Sequence, residues 1–124
     1  MFMRKFFMLA FLFLFPAISY SQPSIMFDTE KYDFGTVAQS DAIEHSFEFS
    51  NKGDEELIIK KLVPSWGCAA VMASSSQLKP GEKGKIIAKI NIKGRVGSVS
   101  KGVQVFSNDP KRSIVTLFLN ATIK

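Results

Sequence analysis

Cysteine and histidine are nearly missing from this chain of 124 residues: Cys68 and His45 are the single examples of each. One thiol cannot form an internal disulfide, so a stable fold must rest on a packed core. A blue-copper site needs two His and one Cys, usually with an axial Met. Cys68 and Met72 are available for it, but a second imidazole is not. Structural zinc needs four N or S ligands and fails on the same count. No metal and no cofactor is therefore expected. Segments of helical period are also lacking beyond the first residues, so no glycine-rich phosphate loop can open a helix. The carboxylates fall in turns and on outward strand faces, and no pair stands out as a general acid and base. His45 has no Ser or Cys nucleophile at matched spacing. These absences together argue against an enzyme.

The one long apolar run lies at the start. Arg4 and Lys5 precede ten uninterrupted apolar residues, Phe6 to Phe15; Pro16 breaks the run, and Ala17, Ser19 and Ser21 follow. This is the order of a secretory signal peptide. Ten residues make about 15 Å of helix, half of a hydrocarbon core of roughly 30 Å, so no membrane span is expected after cleavage. The expected leader is residues 1–21, with Gln22 first in the mature chain. No Cys follows the cleavage site, which argues against a lipid-modified N-terminus. The product would be exported, to the periplasm or outside the cell. Residues 22–124 are long enough for one domain with a core of its own.

Alternation with a period of two runs through the rest. In the last strand, Ser113 to Ile123, the residues Val115, Leu117, Leu119, Ala121 and Ile123 share one face. Ile114, Thr116, Phe118, Asn120 and Thr122 share the other. Ala42 to Ser50 places Ile43, His45, Phe47 and Phe49 inward and Glu44, Ser46, Glu48 and Ser50 outward. Lys85 to Lys93 places Ile86, Ala88, Ile90 and Ile92 inward, with Ile87 an apolar exception among outward lysines. Val99 to Phe106 returns with Val103 and Val105 inward. Leu57 to Val63 fits only if a bulge intervenes. Ile25 to Thr29 is short, Tyr32 and Phe34 stop at a break at Gly35, and a short strand is expected over Ala69 to Met72. Turns at Asn51-Lys52-Gly53-Asp54, Lys79-Pro80-Gly81-Glu82 and Ser107-Asn108-Asp109-Pro110 separate these runs. About seven strands at this spacing predict an all-β, immunoglobulin-like antiparallel sandwich.

Charge is unevenly placed. Asp28 to Glu56 holds nine acidic and two basic residues; Leu57 to Lys124 holds twelve basic and two acidic ones. The net charge is +5, or +3 without the leader, too small to argue for nucleic acid. The simplest account is that acidic and basic strands are neighbours in one sheet. Glu44 and Glu48 should then face Lys85 and Lys89 on the solvent side.

Several pieces in order resemble one family: Phe34-Gly35-Thr36-Val37, the strand His45 to Asn51 running into Lys52-Gly53-Asp54, the Gly67-Cys68 corner, Leu78-Lys79-Pro80-Gly81-Glu82-Lys83-Gly84, and Val105-Phe106-Ser107-Asn108-Asp109-Pro110. The chain is similar to the bacterial family called domain of unknown function 1573. Its members are exported immunoglobulin-like sandwiches, distantly similar to the domains of hydin and the major sperm protein. The resemblance implies fold and export but no reaction. It also exposes a departure. Members commonly carry Cys-Gly-Cys-Thr where this chain has Trp66, Gly67, Cys68 and Ala69, so a two-thiol role at that corner is in doubt.

The candidate partner site is this corner, Pro64 to Ala73. An exposed Trp66 and Met72 would make an apolar patch beside Cys68, and tryptophan is enriched at interface hot spots. Edge strands of an open sandwich are a second route to a protein partner, through their unpaired backbone groups. The expected role is thus a non-catalytic interaction or structural module of the cell envelope. The alternative is a thiol-based redox or ligand-binding protein using Cys68, which requires an accessible thiolate.

Overall fold

The computed structural model describes residues 21–65 and 69–124. The expected leader, apart from Ser21, lies outside the described residues, as do Trp66 and Cys68. Among the described residues every regular element is a strand, and none is a helix able to cross a membrane.

Among the described residues nine strands form two sheets, two more than the sequence suggests: β1 (Ile25–Phe27), β2 (Lys31–Val37), β3 (Ala42–Asn51), β4 (Leu57–Pro64), β5 (Ala69–Ala73), β6 (Gln77–Leu78), β7 (Lys83–Asn91), β8 (Gly97–Ser107) and β9 (Ile114–Ile123). One sheet has the order β1-β3-β7-β5, the other β2-β9-β8-β4-β6. The added elements are β6, two residues long, and β2, a full strand in place of the expected break at Gly35. Gly35 supplies a positive φ of 70°, and the β2 register shifts between Asp33 and Thr36, so the strand bulges there and continues. β2 also corrects the all-antiparallel expectation. It runs parallel to β9, with Tyr32 opposite Leu119 and Val37 opposite Ile123.

The inward rows are those that alternation picks out. Phe47, Phe49, Ile86, Ile90, Leu117, Leu119, Ile123, Val103 and Val105 are at most 1% exposed. Each such side chain contributes roughly 1.5–3 kcal/mol of gross burial, an upper bound before chain entropy. The register of the central pair is also as expected: Glu44 stands opposite Lys89 and Glu48 opposite Lys85. In β4 the register shifts between Ile59 and Lys61, which is the bulge that lets Leu57, Ile59 and Leu62 all turn toward the core.

Polar side chains fasten one end of the sandwich. Asn51, fully buried, donates from Nδ2 to the carbonyls of Glu55 (2.6 Å) and Leu78 (3.1 Å), and its Oδ1 accepts from Gly53 N (2.9 Å) and Ser24 N (3.2 Å). Gly53 packs so tightly on the incoming chain that a Cβ there would collide with the backbone of Gln22 to Ser24. Asn108 accepts from Ile58 N at 2.8 Å and donates to the Glu56 carbonyl at 3.0 Å. Asp109, 3% exposed, accepts from Ile25 N (2.8 Å) with one oxygen and from Lys111 N (2.8 Å) and Arg112 N (3.1 Å) with the other.

Candidate functional site

The site is built where the chain changes sheets. Pro64 ends β4, and Ser65 is held to β8 by two bonds: Ser65 N donates to the Gly102 carbonyl at 2.8 Å, and Gly102 N donates to Ser65 Oγ at 3.1 Å. Lys101 beside it shares the inward parity of Val99 and Val103 and is half-buried. The corner residues Trp66, Gly67 and Cys68 follow, outside the described residues. The chain resumes as β5 at the edge of the opposite sheet, where among the described residues it pairs with β7 alone.

Bond alternation identifies which β5 groups are free. In an antiparallel pair, alternate residues direct both backbone groups to the same neighbour. Ile92 N donates to Asp41 O and Asn51 N to Glu82 O, so the even-numbered residues of β7 face β3. Ser74 N donates to Lys85 O, so the odd-numbered residues face β5 and are met there by residues 70, 72 and 74. Ala69, Val71 and Ala73 therefore turn their N–H and C=O away from the sheet. A row of such groups is a template for another strand.

The side chains flanking this edge differ on the two faces. Outward, Met72 stands opposite Ile87 and is 61% exposed, while Ala70 stands opposite Lys89. Glu44, Ala70, Val71, Met72, Ile87 and Lys89 line one shallow hollow. Inward, Val71 and Ala73 pack against the core with Leu62 of β4, but all three are only half-buried. The flank of the core beneath β5 is thus incompletely covered. Of the expected patch, Met72 is placed in the open; the sequence reading missed Ile87 as its companion, although its break in the lysine row was the available signal.

His45 lies inward, as its parity requires, and is half-buried. Its ring stacks on Tyr32 at 3.7 Å and 8°, with Phe47 edge-on at 4.7 Å and Phe34 at 6.3 Å. Burial lowers its pKa from the ordinary value. The imidazole packs among carbon rings where β2 meets β3, and burial disfavours its charged form. Among the described residues no three His, Cys, Asp or Glu side chains group as a metal site would require.

A model for the family described as "Protein of unknown function (DUF1573)" matches residues 25–123, from the first residue of β1 to the last of β9. The chain belongs to the DUF1573 family. No curated protein matches it in sequence. Among solved structures, this DUF1573 chain is similar to a protein of unknown function from Porphyromonas gingivalis, with a TM-score of 0.73 and 16% identity over 88% of its length. It spans about half (51%) of that protein. A PapD-like domain of human CEP192 matches with a TM-score of 0.66 and 12% identity, covering 88% of the DUF1573 chain and 91% of the domain. The Vibrio cholerae VesB protease matches with a TM-score of 0.64 and 13% identity, over 82% of this chain and 32% of that one. At such identities these likenesses establish an immunoglobulin-like fold and nothing about chemistry.

Proposed function

We propose that this DUF1573 chain is a non-catalytic, exported module that binds another protein of the bacterial cell envelope, using the β5 edge and the 64–73 corner as its contact. The observation that carries the reading is the free edge formed by Ala69, Val71 and Ala73, flanked by exposed Met72 and half-buried Ile87. Main-chain bonds along such an edge supply affinity, and the flanking side chains supply selection. Export rests on the order of charged, apolar and small residues over positions 1–21.

Two variants at one position test the contact. Val71→Pro removes an outward N–H that no bond to β7 uses, and edge strands tolerate proline when that N–H faces solvent. Val71→Ala trims the same side chain and keeps the N–H. Tagged full-length protein, expressed in a bacterial host and recovered from the envelope fraction, should begin at Gln22. Wild type and Val71→Ala should co-purify the same partner, and Val71→Pro, folded by circular dichroism, should lose it. Equal recovery by Val71→Pro would contradict the contact, and an intact Met1 in the cytoplasm would contradict export.

A further inference from the structure

We infer that the segment added to the β5 edge is an extended stretch of a partner protein, acidic at alternate outward positions with an apolar residue between them. This rests on the interaction reading above and adds the chemistry of what the edge accepts.

β7 carries Lys83, Lys85 and Lys89 outward on the solvent face of its sheet, and Lys93 follows in the turn after the strand, all exposed. The acids of that face, Glu44 and Glu48, stand on the β3 side of the lysine row, opposite Lys89 and Lys85. Asp41 lies on the same side, in a hollow with Ala42, Ala70, Lys89, Asn91 and Lys93. β5 itself carries no acid, though Glu44 shares a hollow with Ala70, Met72 and Lys89, and Glu48 shares one with Ser74 and Lys85. Ala70 stands beside Lys89, and Ser74, bonded through its N–H to Lys85 O, stands beside Lys85. Both are short, so neither blocks a lysine side chain from reaching across β5.

A strand bonded to Ala69, Val71 and Ala73 would lie about 4.8 Å from β5 and roughly 10 Å from β7. A glutamate on it beside Ala70 and a lysine on β7 can span that gap over an alanine methyl. The same holds beside Ser74 and Lys85. Between the two, the added strand meets Met72, backed by Ile87, where an apolar side chain is required. Its inward side chains fall over half-buried Val71, Ala73 and Leu62, and these too must be apolar. The fitted pattern is acidic, apolar, apolar, apolar, acidic. It reads the same in both directions, so it serves a parallel or an antiparallel addition.

The test uses synthetic peptides against the purified full chain, read by fluorescence anisotropy at low salt. One carries Glu-Val-Val-Val-Glu between Gly-Ser flanks; the other has Lys in place of both Glu. The acidic peptide should bind at least about tenfold more tightly than the lysine peptide, and added salt should weaken it. The Lys85→Glu/Lys89→Glu double variant should reverse the preference. Val71→Pro should abolish binding of the acidic peptide, while Val71→Ala, which trims an apolar contact but keeps the N–H, should weaken it far less. On binding, amide exchange of Ala69, Val71 and Ala73 should slow. Equal binding of the two peptides, no binding of either, or a double variant that still prefers the acidic peptide would each overturn the inference. If Val71→Pro nevertheless loses the envelope partner, the module reading survives and only the partner's chemistry is wrong.

Discussion

Asp109→Ala is expected to lower the stability of the domain by about 3 kcal/mol or more, the largest effect of any single polar substitution in this fold. The carboxylate is buried and joins residues 84 apart in sequence, taking Ile25 N at the start of β1 as well as Lys111 N and Arg112 N in its own turn. Alanine leaves all three donors without an acceptor. In a domain of this size each kcal/mol is worth about 4–8 °C in Tm, so a drop of more than about 12 °C in a thermal melt checks the claim. Asp109→Asn should rescue little, because an amide turns a donor toward at least one of the three N–H groups. The same site sets a pH dependence. Burial pushes the Asp109 carboxyl up, but the N–H bonds from Ile25, Lys111 and Arg112, with the Arg112 charge, outweigh it and hold the pKa below the ordinary value. The unfolded chain then takes up the proton first, near pH 3.9. The stabilisation is complete above that pH and is lost as pH falls through it toward the lower folded value. Denaturant titrations between pH 6 and pH 3 should show a stability loss in wild type that is shallower in Asp109→Asn.

Asn51→Ala should cost about 2–4 kcal/mol by the same logic with the opposite polarity requirement. Asn51 both donates and accepts: Nδ2 serves two carbonyls, of Glu55 and Leu78, while Oδ1 serves two N–H groups, of Ser24 and Gly53. An amide is the one side-chain group of this size that does both. Asn51→Asp should therefore be no better than Asn51→Ala, since it sets a carboxylate against two carbonyl oxygens. The pair of isosteric swaps, Asp109→Asn and Asn51→Asp, separates donor chemistry from shape. If either variant melts within a few degrees of wild type, the bonds assigned to it contribute little.

Much of this architecture was legible where apolar and polar residues alternate for a full strand. That Glu44 and Glu48 share a solvent face with Lys85 and Lys89 on a neighbouring strand was legible, because a one-residue slip would have buried the charges; which glutamate meets which lysine was not. The β4 bulge was legible because Leu57, Ile59 and Leu62 could not otherwise share a face. β2 was not. Most of its residues are exposed, its alternation is weak, and its parallel partner β9 lies about 80 residues away, so neither pattern nor turn chemistry points to it. Asn51, Asn108 and Asp109 were legible only as turn formers, which is half of what they do. Their bonds to Leu78, Ile58 and Ile25 depend on tertiary placement that no local signal records. For the candidate site, Met72 could be named from sequence and is exposed, while Trp66 and Cys68 lie outside the described residues. The free row at Ala69, Val71 and Ala73 could not be named, because three small apolar residues do not reveal which way their backbone faces.

The interaction account depends on that row being open. Residue-resolved hydrogen exchange of the isolated protein measures it directly. Amides of Ala70, Met72 and Ser74, bonded to β7, should be protected, and those of Ala69, Val71 and Ala73 should exchange as fast as loop amides. Equal protection of both sets would mean that the β5 edge is already covered and would contradict the account.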